Sequence, residues 1–155
     1  MYVQDHFWIN VFIITIIGIL NCFLGLGINY LGLFVILFFS IVVDFDHYLF
    51  YVYYKKDLSL KRALIWYKKK YNQFGKMSKK QKDKYQIGIF IFHGIECFFV
   101  MLALKSVFPF MIWVINGWLL HMLLDYIEII RIKAPLYLKI SQIYVIWKNK
   151  GKKKL

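Results

Sequence analysis

Apolar residues along this chain collect in four long stretches that are separated by turns or by strongly basic segments. The stretches run from about 7 to 26, 30 to 53, 85 to 108 and 110 to 130. A helix needs roughly 20 mostly apolar residues to cross the hydrocarbon core of a bilayer. The pattern therefore predicts an all-α integral membrane protein, with four transmembrane helices in a bundle that forms a single domain over residues 1–155.

Composition agrees with a membrane protein. Hydrophobic residues make up 61% of the chain, against roughly 45–50% in soluble domains, and the mean hydropathy is +0.55. Gly25, Gly27 and Asn29 suit a tight turn after the first stretch because glycine tolerates positive φ. Pro109 separates the third stretch from the fourth. Two short turns and one long basic loop therefore connect the predicted spans.

The net charge of +13 predicts the orientation of the chain. Twelve basic residues lie in the loop 55–84 and eight in the tail 131–155. Because basic segments stay on the cytoplasmic side, we expect a multi-pass protein of the inner membrane with both termini in the cytoplasm. Amphipathic segments in this loop and tail favour interfacial helices that contact anionic lipid headgroups. No nucleic-acid partner is expected, and an oligomer is compatible with this small size.

Ionisable side chains interrupt three of the four apolar stretches, where they are costly and usually mark a functional site. At about 1.5 Å per helical residue, all of them lie roughly 8–17 Å from the cytoplasmic boundary. The pattern predicts a shared polar pocket on the cytoplasmic side. The residues concerned are Asp44, Asp46 and His47 in the second stretch, His93 and Glu96 in the third, and His121, Asp125 and Glu128 in the fourth.

The spacing of these residues predicts a metal site. Pairs three or four positions apart share one face of a helix, and carboxylate–imidazole pairs on facing helices build metal centres in bundles. We expect zinc, with manganese, iron or magnesium as alternatives. Asp46 points elsewhere on an ideal helix, so it becomes a ligand only if the helix ends there and otherwise supports His47. The expected ligands are Asp44, His47, His93, His121 and Asp125.

Hydrolysis is the chemistry that this combination favours. A bound metal ion lowers the pKa of water and polarises a phosphoryl or acyl oxygen, and a nearby carboxylate can accept the proton. Glu96 and Asp46 are the expected bases. Glu128 is a third candidate base, unless it supports the ligands or pairs with Arg131. His6 is expected to lie at the membrane interface, outside the site.

The motif order adds a family resemblance over about residues 40–126. The segment Asp44–His47, the later His93, and the segment His121–Asp125 resemble the membrane-bound metal-dependent hydrolases, also labelled LexA-binding, inner-membrane-associated hydrolases. That family usually has proline where this chain has Val43, and Glu96 is expected to replace its second central histidine. The resemblance implies small helical membrane proteins with metal-dependent hydrolase activity.

Three functions follow from the sequence. The first is metal-dependent hydrolysis of a lipid-linked or amphiphilic ester, including phosphoesters, at the cytoplasmic leaflet. The second is a small transporter or channel for protons or divalent metal ions, because intramembrane carboxylates and histidines also form such pathways. The third is a non-catalytic structural or regulatory membrane protein. The outer half of the spans offers few polar residues, which favours a one-sided site.

Overall fold

The computed structural model describes residues 3–86 and 88–152, and no β-strand occurs among them. Residues 1–2 of the predicted domain, residue 87 of the predicted third span and residues 153–155 of the basic tail lie outside the described residues. The helices are α1 (Val3–Leu24), α2 (Tyr30–Val42), α3 (Phe45–Lys55), α4 (Leu60–Gly75), α5 (Lys79–Lys82), α6 (Ile95–Lys105), α7 (Met111–Arg131), α8 (Tyr137–Ile140) and α9 (Gln142–Lys148), with a 3₁₀ turn at Ile91–His93.

Three helical segments within the described residues are long and apolar enough to cross a membrane. They are Asp5–Leu24, Tyr30–Lys55 and Met111–Arg131. The first carries large side chains that no other element covers; Phe23, for example, is 83% exposed. Such apolar exposure suits contact with lipid. The structure therefore confirms an all-helical protein of membrane type.

The third apolar stretch differs from the prediction of a helix over 85–108. Among the described residues of this stretch, Ile95–Lys105 is the only α-helix, which gives about 16 Å of helix, roughly half of the hydrocarbon thickness. The backbone N–H groups of Phe90 and Phe92 donate instead to the side chains of Gln142 and Asp46, each at 2.9 Å. Because these side chains satisfy the backbone, the segment before α6 does not need to be helical.

The turn between α1 and α2 forms as its residues predict. Gly25 and Gly27 adopt positive φ values of 60° and 67°. Asn29 caps α2 by accepting a hydrogen bond from the N–H of Leu31 at 2.9 Å. The side chain of Asn21 holds the turn, because it donates to the carbonyl of Ile28 and accepts its N–H, both at 2.9 Å.

Helix α7 is the most buried of the three membrane-length helices, and it packs most extensively against α2. Glycine makes this approach close: a Cβ on Gly117 would lie only 2.5 Å from the carbonyl oxygen of Ile36. The buried core between the helices consists of Val43, Met101, Val114, Ile115, Trp118 and Met122.

The start of α1, the end of α2 and the second half of α7 meet at one end of the molecule. The carbonyl oxygen of Ser40 on α2 accepts Nδ2 of Asn10 on α1 at 3.4 Å and Nδ1 of His121 on α7 at 2.7 Å. Helix α4 of the basic loop lies at the same end, because Tyr67 donates its hydroxyl to the carbonyl of His47 at 2.7 Å. The predicted polar residues therefore come together beneath the basic loop.

Candidate metal centre

A break in the second membrane-length segment positions Asp46. Helix α2 ends at Val42 and α3 begins at Phe45, so the regular helix that the sequence suggests is interrupted. Asp46 Oδ1 lies 2.9 Å from Nδ1 of His47, and its Oδ2 lies 3.0 Å from Nδ1 of His93. The same Oδ2 accepts the N–H of Phe92 at 2.9 Å. Asp46 therefore orients the imidazoles of His47 and His93. Support of His47 is the second of the two roles that the sequence analysis considers for Asp46.

Two histidines are held with their Nε2 atoms toward each other. His93 and His121 are both fully buried. Nδ1 of His93 donates to Asp46, and Nδ1 of His121 donates to the carbonyl of Ser40. When the rings are neutral, each therefore carries its lone pair on Nε2, and the two Nε2 atoms are 3.1 Å apart. A hydrogen bond that fixes the second nitrogen is typical of metal-ligating histidine.

Two carboxylates complete a four-sided arrangement around this pair. Asp44 Oδ1 lies 3.7 Å from Nε2 of His93 and 3.6 Å from Nε2 of His121. Asp125 Oδ2 lies 3.4 Å and 3.6 Å from the same two atoms. Ligands at 2.0–2.2 Å from a tetrahedral zinc ion are roughly 3.3–3.6 Å apart. The separations between each carboxylate and the two imidazoles, 3.4–3.7 Å, are therefore close to those in a coordination shell.

His47 lies at the margin of this cluster. Its Nδ1 is 3.6 Å from Asp44 Oδ1, and its ring stacks on Phe90 with the ring centres 3.9 Å apart. Its ring also meets that of His93 edge-on at 4.7 Å. The structure therefore brings together all five residues that the sequence proposes as ligands, with His47 the outermost of them.

His6 belongs to the cluster, and the sequence analysis missed it. Only 4% of this residue is exposed, and its ring stacks on that of His121 with centres 4.9 Å apart. Nε2 of His6 lies 3.4 Å from Asp125 Oδ1. The expectation that His6 lies outside the site is therefore wrong. The packing of α1 against α7 places His6 in the cluster. In the sequence, its position near the start of the first span was the only indication of this.

Glu96 lies elsewhere. Its carboxylate accepts the hydroxyl of Ser141 at 2.5 Å and the N–H groups of Gln142 and Ile143 at 3.2 Å each. These donors form the start of α9, so the carboxylate caps a short helix in the tail. Its role as a base stays a prediction to which this position lends no support.

Glu128 is buried beside the cluster, one turn after Asp125 on α7. The hydroxyl of Tyr71 donates to its Oε1, and Arg131 Nη1 lies 3.6 Å from its Oε2. The pairing with Arg131 is the one that the sequence offered as an alternative. Glu128 also faces the same cavity as the ligands.

A cavity of about 670 Å³ leads to the cluster. His6, Asp44, His47 and Asp125 lie at one part of its lining, and Lys68, Lys70 and Lys139 add positive charge. Most of the remaining wall is aromatic or aliphatic: Phe50, Tyr54, Leu64, Ile65, Trp66, Tyr67, Phe74, Ile89, Phe90, Ile129, Ile132 and Leu138 line it. The space therefore suits an amphiphilic molecule.

Lys139 on α8 supplies positive charge next to a predicted ligand. Its Nζ lies 2.7 Å from Asp125 Oδ2 and 5.4 Å from the centre of the Phe90 ring. Asp125 Oδ2 nevertheless has no well-directed hydrogen bond within the described part of the chain. Buried carboxylates need compensation of their charge. The donor set of imidazoles and carboxylates around this oxygen fits a divalent cation.

Tyr67 covers the cluster from α4. Burial, followed by the nearby carboxylates of Asp46 and Asp44, raises the pKa of its hydroxyl well above the usual value. The hydroxyl therefore remains protonated at neutral pH and donates to the carbonyl of His47. This contact ties the basic loop to the break between α2 and α3.

Comparisons of the chain with protein-family models, with curated proteins and with solved structures give no match. The resemblance seen in the short motifs stays a prediction.

Proposed function

We propose that this chain is a membrane-embedded, metal-dependent hydrolase that acts on a lipid-linked or amphiphilic ester. The observation that carries the proposal is the convergence of four donor atoms, from Asp44, His93, His121 and Asp125. Asp44 and Asp125 also line an apolar cavity. Zinc suits this mixed nitrogen and oxygen set best, and manganese, iron or magnesium are alternatives.

A divalent ion, when bound, supplies an activated water and polarises the ester oxygen. The chain contributes the geometry. Asp46 and the carbonyl of Ser40 hold His93 and His121 in the tautomer that presents Nε2. Of the three candidate bases, Glu128 lines the cavity, whereas Glu96 caps α9 and Asp46 already accepts three hydrogen bonds. Glu128 is therefore the carboxylate best placed to accept a proton.

The cavity supports an amphiphilic substrate. Its aromatic and aliphatic walls offer an apolar tail a place outside water. Lys68, Lys70 and Lys139 offer positive charge to an anionic headgroup in the cavity, and Lys139 lies beside the predicted ligand Asp125. An ester group between tail and headgroup would lie beside Asp44 and Asp125. Lipid-like esters, phosphoesters among them, fit this separation of apolar walls from positive charge better than small polar esters do.

The basic segments indicate on which side of the membrane the cluster and its cavity lie. Helix α4 of the basic loop and helix α8 of the basic tail both cover the cluster, through Tyr67 and Lys139. Because basic segments remain cytoplasmic, we place the cavity at the cytoplasmic leaflet of the inner membrane, with both termini on that side.

A fourth crossing of the membrane is part of this proposal. It is made by the segment from Gly88 to the end of α6, with its first part extended. Non-helical backbone is tolerated at membrane depth where protein surrounds it or where it lines a cavity. Gly88, Ile89 and Phe90 line the cavity, and side chains satisfy the backbone N–H groups of Phe90 and Phe92.

Metal content and ester hydrolysis test the proposal together. We expect purified protein in detergent to bind at least one Zn²⁺ or Mn²⁺ per chain and to hydrolyse long-chain chromogenic esters or phosphodiesters. His121→Ala and Asp125→Asn should each lower activity by about 100-fold or more, since loss of even a supporting residue typically costs about 10–100-fold. Asn116→Ala is the matched control, because Asn116 lies on the same helix, is exposed and bonds only to the carbonyl of Ile112. Wild-type protein that binds no divalent metal would overturn the proposal.

A further inference from the structure

We infer that the cluster holds two divalent ions, and that His6 of α1 is a ligand of the second ion. This inference rests on the proposed function and deepens it. It also favours phosphoesters among the proposed substrates, since two-ion sites of nucleases and phosphatases serve phosphoester hydrolysis.

The number of donors exceeds what one ion needs. A zinc ion held by Asp44, His93, His121 and Asp125 would have four protein ligands, which is the closed arrangement of structural sites. Hydrolytic ions keep a position open for water or substrate. The cluster contains two more imidazoles at its margin, those of His6 and His47. Because Nδ1 of His47 donates to Asp46, His47 would bind an ion through Nε2. Two ions would use all six side chains and would leave a coordination position on each ion open for water or substrate.

The six side chains divide into two equal sets. Asp44, His47 and His93 form one, and His6, His121 and Asp125 form the other; in each set the ligand atoms lie within 4.8 Å of one another. Each set contains two imidazoles and one carboxylate. That composition holds catalytic zinc and non-haem iron, with positions open for other ligands.

Asp125 connects the two sets. Its Oδ1 lies 3.4 Å from Nε2 of His6, while its Oδ2 lies 3.4 Å from Nε2 of His93. Oδ2 also lies 3.6 Å from Nε2 of His121, so this carboxylate contacts imidazoles of both sets and would be available to both ions. Ions in two-metal sites are about 3.5–4 Å apart, a separation that one carboxylate can span.

The surroundings of His6 support its role as a ligand. Its Nδ1 is buried and has no hydrogen-bond partner among the described residues, and the same holds for Oδ1 of Asn10, one turn later on α1. A ligating histidine usually donates its other N–H to a nearby acceptor. Nε2 of His6 faces Asp125 Oδ1 at 3.4 Å, so it is the ring nitrogen directed toward the cluster.

Metal stoichiometry tests this inference separately from the proposed function. Metal-free protein is loaded with Zn²⁺ and analysed for metal per chain, and a second sample is loaded with Mn²⁺ and examined by electron paramagnetic resonance. We expect two ions per chain and a spin-coupled Mn²⁺ pair. One ion per chain in the wild type would overturn the inference and leave the proposed function intact, whereas no bound ion would overturn both.

Variants at the start of α1 test the assignment of His6. His6→Ala and His6→Gln should each lower the stoichiometry from two ions to one and abolish the coupled signal. The control is Asp5→Asn, an exposed neighbour on the same helix, which should retain two ions. Two ions in both His6 variants would overturn the assignment of this ligand. Using two replacements keeps the test informative if one of them impairs folding.

Discussion

Nε2 of His93 lies 3.1 Å from Nε2 of His121, inside the protein and away from solvent. The other nitrogen of each ring donates a hydrogen bond, so both facing atoms present lone pairs. Two buried lone pairs at this distance repel each other unless a proton on one of the rings or a metal ion lies between or beside them. The positions of these donor atoms therefore suit a cation. A bound cation should increase the free energy of unfolding.

Thermal unfolding in detergent measures this contribution. A ligand at 100 times its dissociation constant stabilises the folded state by about 2.7 kcal/mol, so saturating Zn²⁺ should raise the melting temperature of the wild type clearly. In His121→Ala the increase should disappear, because a central donor is lost. Asn116→Ala should keep the wild-type increase. An equal increase in His121→Ala and wild type would show that the metal binds elsewhere.

The sequence predicts much of this cluster because helical spacing and depth can be read from it. His121 and Asp125 lie one turn apart on a regular helix, and the structure keeps that relation. The structure does not place Glu96 on the same helix face as His93, because His93 lies in a 3₁₀ turn and Glu96 in the first turn of α6. The position of His6 depends on how α1 packs against α7, which no local pattern reveals.

Asp46 should set the affinity of the cluster for metal without being a ligand. In Asp46→Asn, one oxygen is replaced by an NH₂ donor, so the side chain can no longer accept from both His47 and His93. Loss of such support typically lowers metal affinity by about 10–100-fold. Competition with a chromophoric chelator measures the change.

The matched control for Asp46 is Asp57→Asn, which removes a carboxylate paired with Arg62 in the basic loop. Metal affinity in that variant should equal the wild-type value. Unchanged affinity in Asp46→Asn would show that the imidazoles are oriented by other contacts.

Lys139 should affect metal and substrate in opposite directions. Its ammonium group lies 2.7 Å from Asp125 Oδ2 and lines the cavity. Lys139→Gln removes a positive charge that opposes cation binding, so the metal affinity should stay equal or rise. The KM for an anionic amphiphile should increase, by several-fold, because the same charge attracts the headgroup.

Kinetics with an anionic and a neutral ester of equal chain length separate these effects, since only the anionic substrate should respond. Lys148→Gln is the control, because Lys148 lies over the rings of Tyr137 and Tyr144 rather than beside Asp125. Weaker metal binding in Lys139→Gln would contradict the prediction.

Glu96 should matter for the position of the tail rather than for metal binding. Glu96→Gln weakens the charge-assisted hydrogen bonds to Ser141, Gln142 and Ile143, at a cost of about 1 kcal/mol given partial exposure to solvent. Hydrogen exchange in α9 should become faster while the metal content remains that of the wild type. Lys105→Gln, at the other end of α6, serves as the control. Loss of metal from Glu96→Gln would contradict this prediction and would indicate that Glu96 belongs to the metal site.

The contact of α2 with α7 should be the packing interface that is most sensitive to a single added methyl group. A Cβ on Gly117 would lie 2.5 Å from the carbonyl oxygen of Ile36, and backbone cannot move away as a flexible side chain does. Gly117→Ala should therefore destabilise the protein by about 1–3 kcal/mol. Gly18→Ala on α1 is the matched control, because its nearest neighbour would be a side-chain atom of Leu33 at 4.0 Å. That variant should be neutral or up to about 1 kcal/mol more stable, since alanine favours helix over glycine. Thermal melts of both variants, recorded with and without Zn²⁺, measure the difference, and equal melting temperatures would contradict the close approach of the two helices.

Because Ile36 and Ser40 both lie on α2, a shift of α2 caused by Gly117→Ala should also reduce the increase in melting temperature that metal produces.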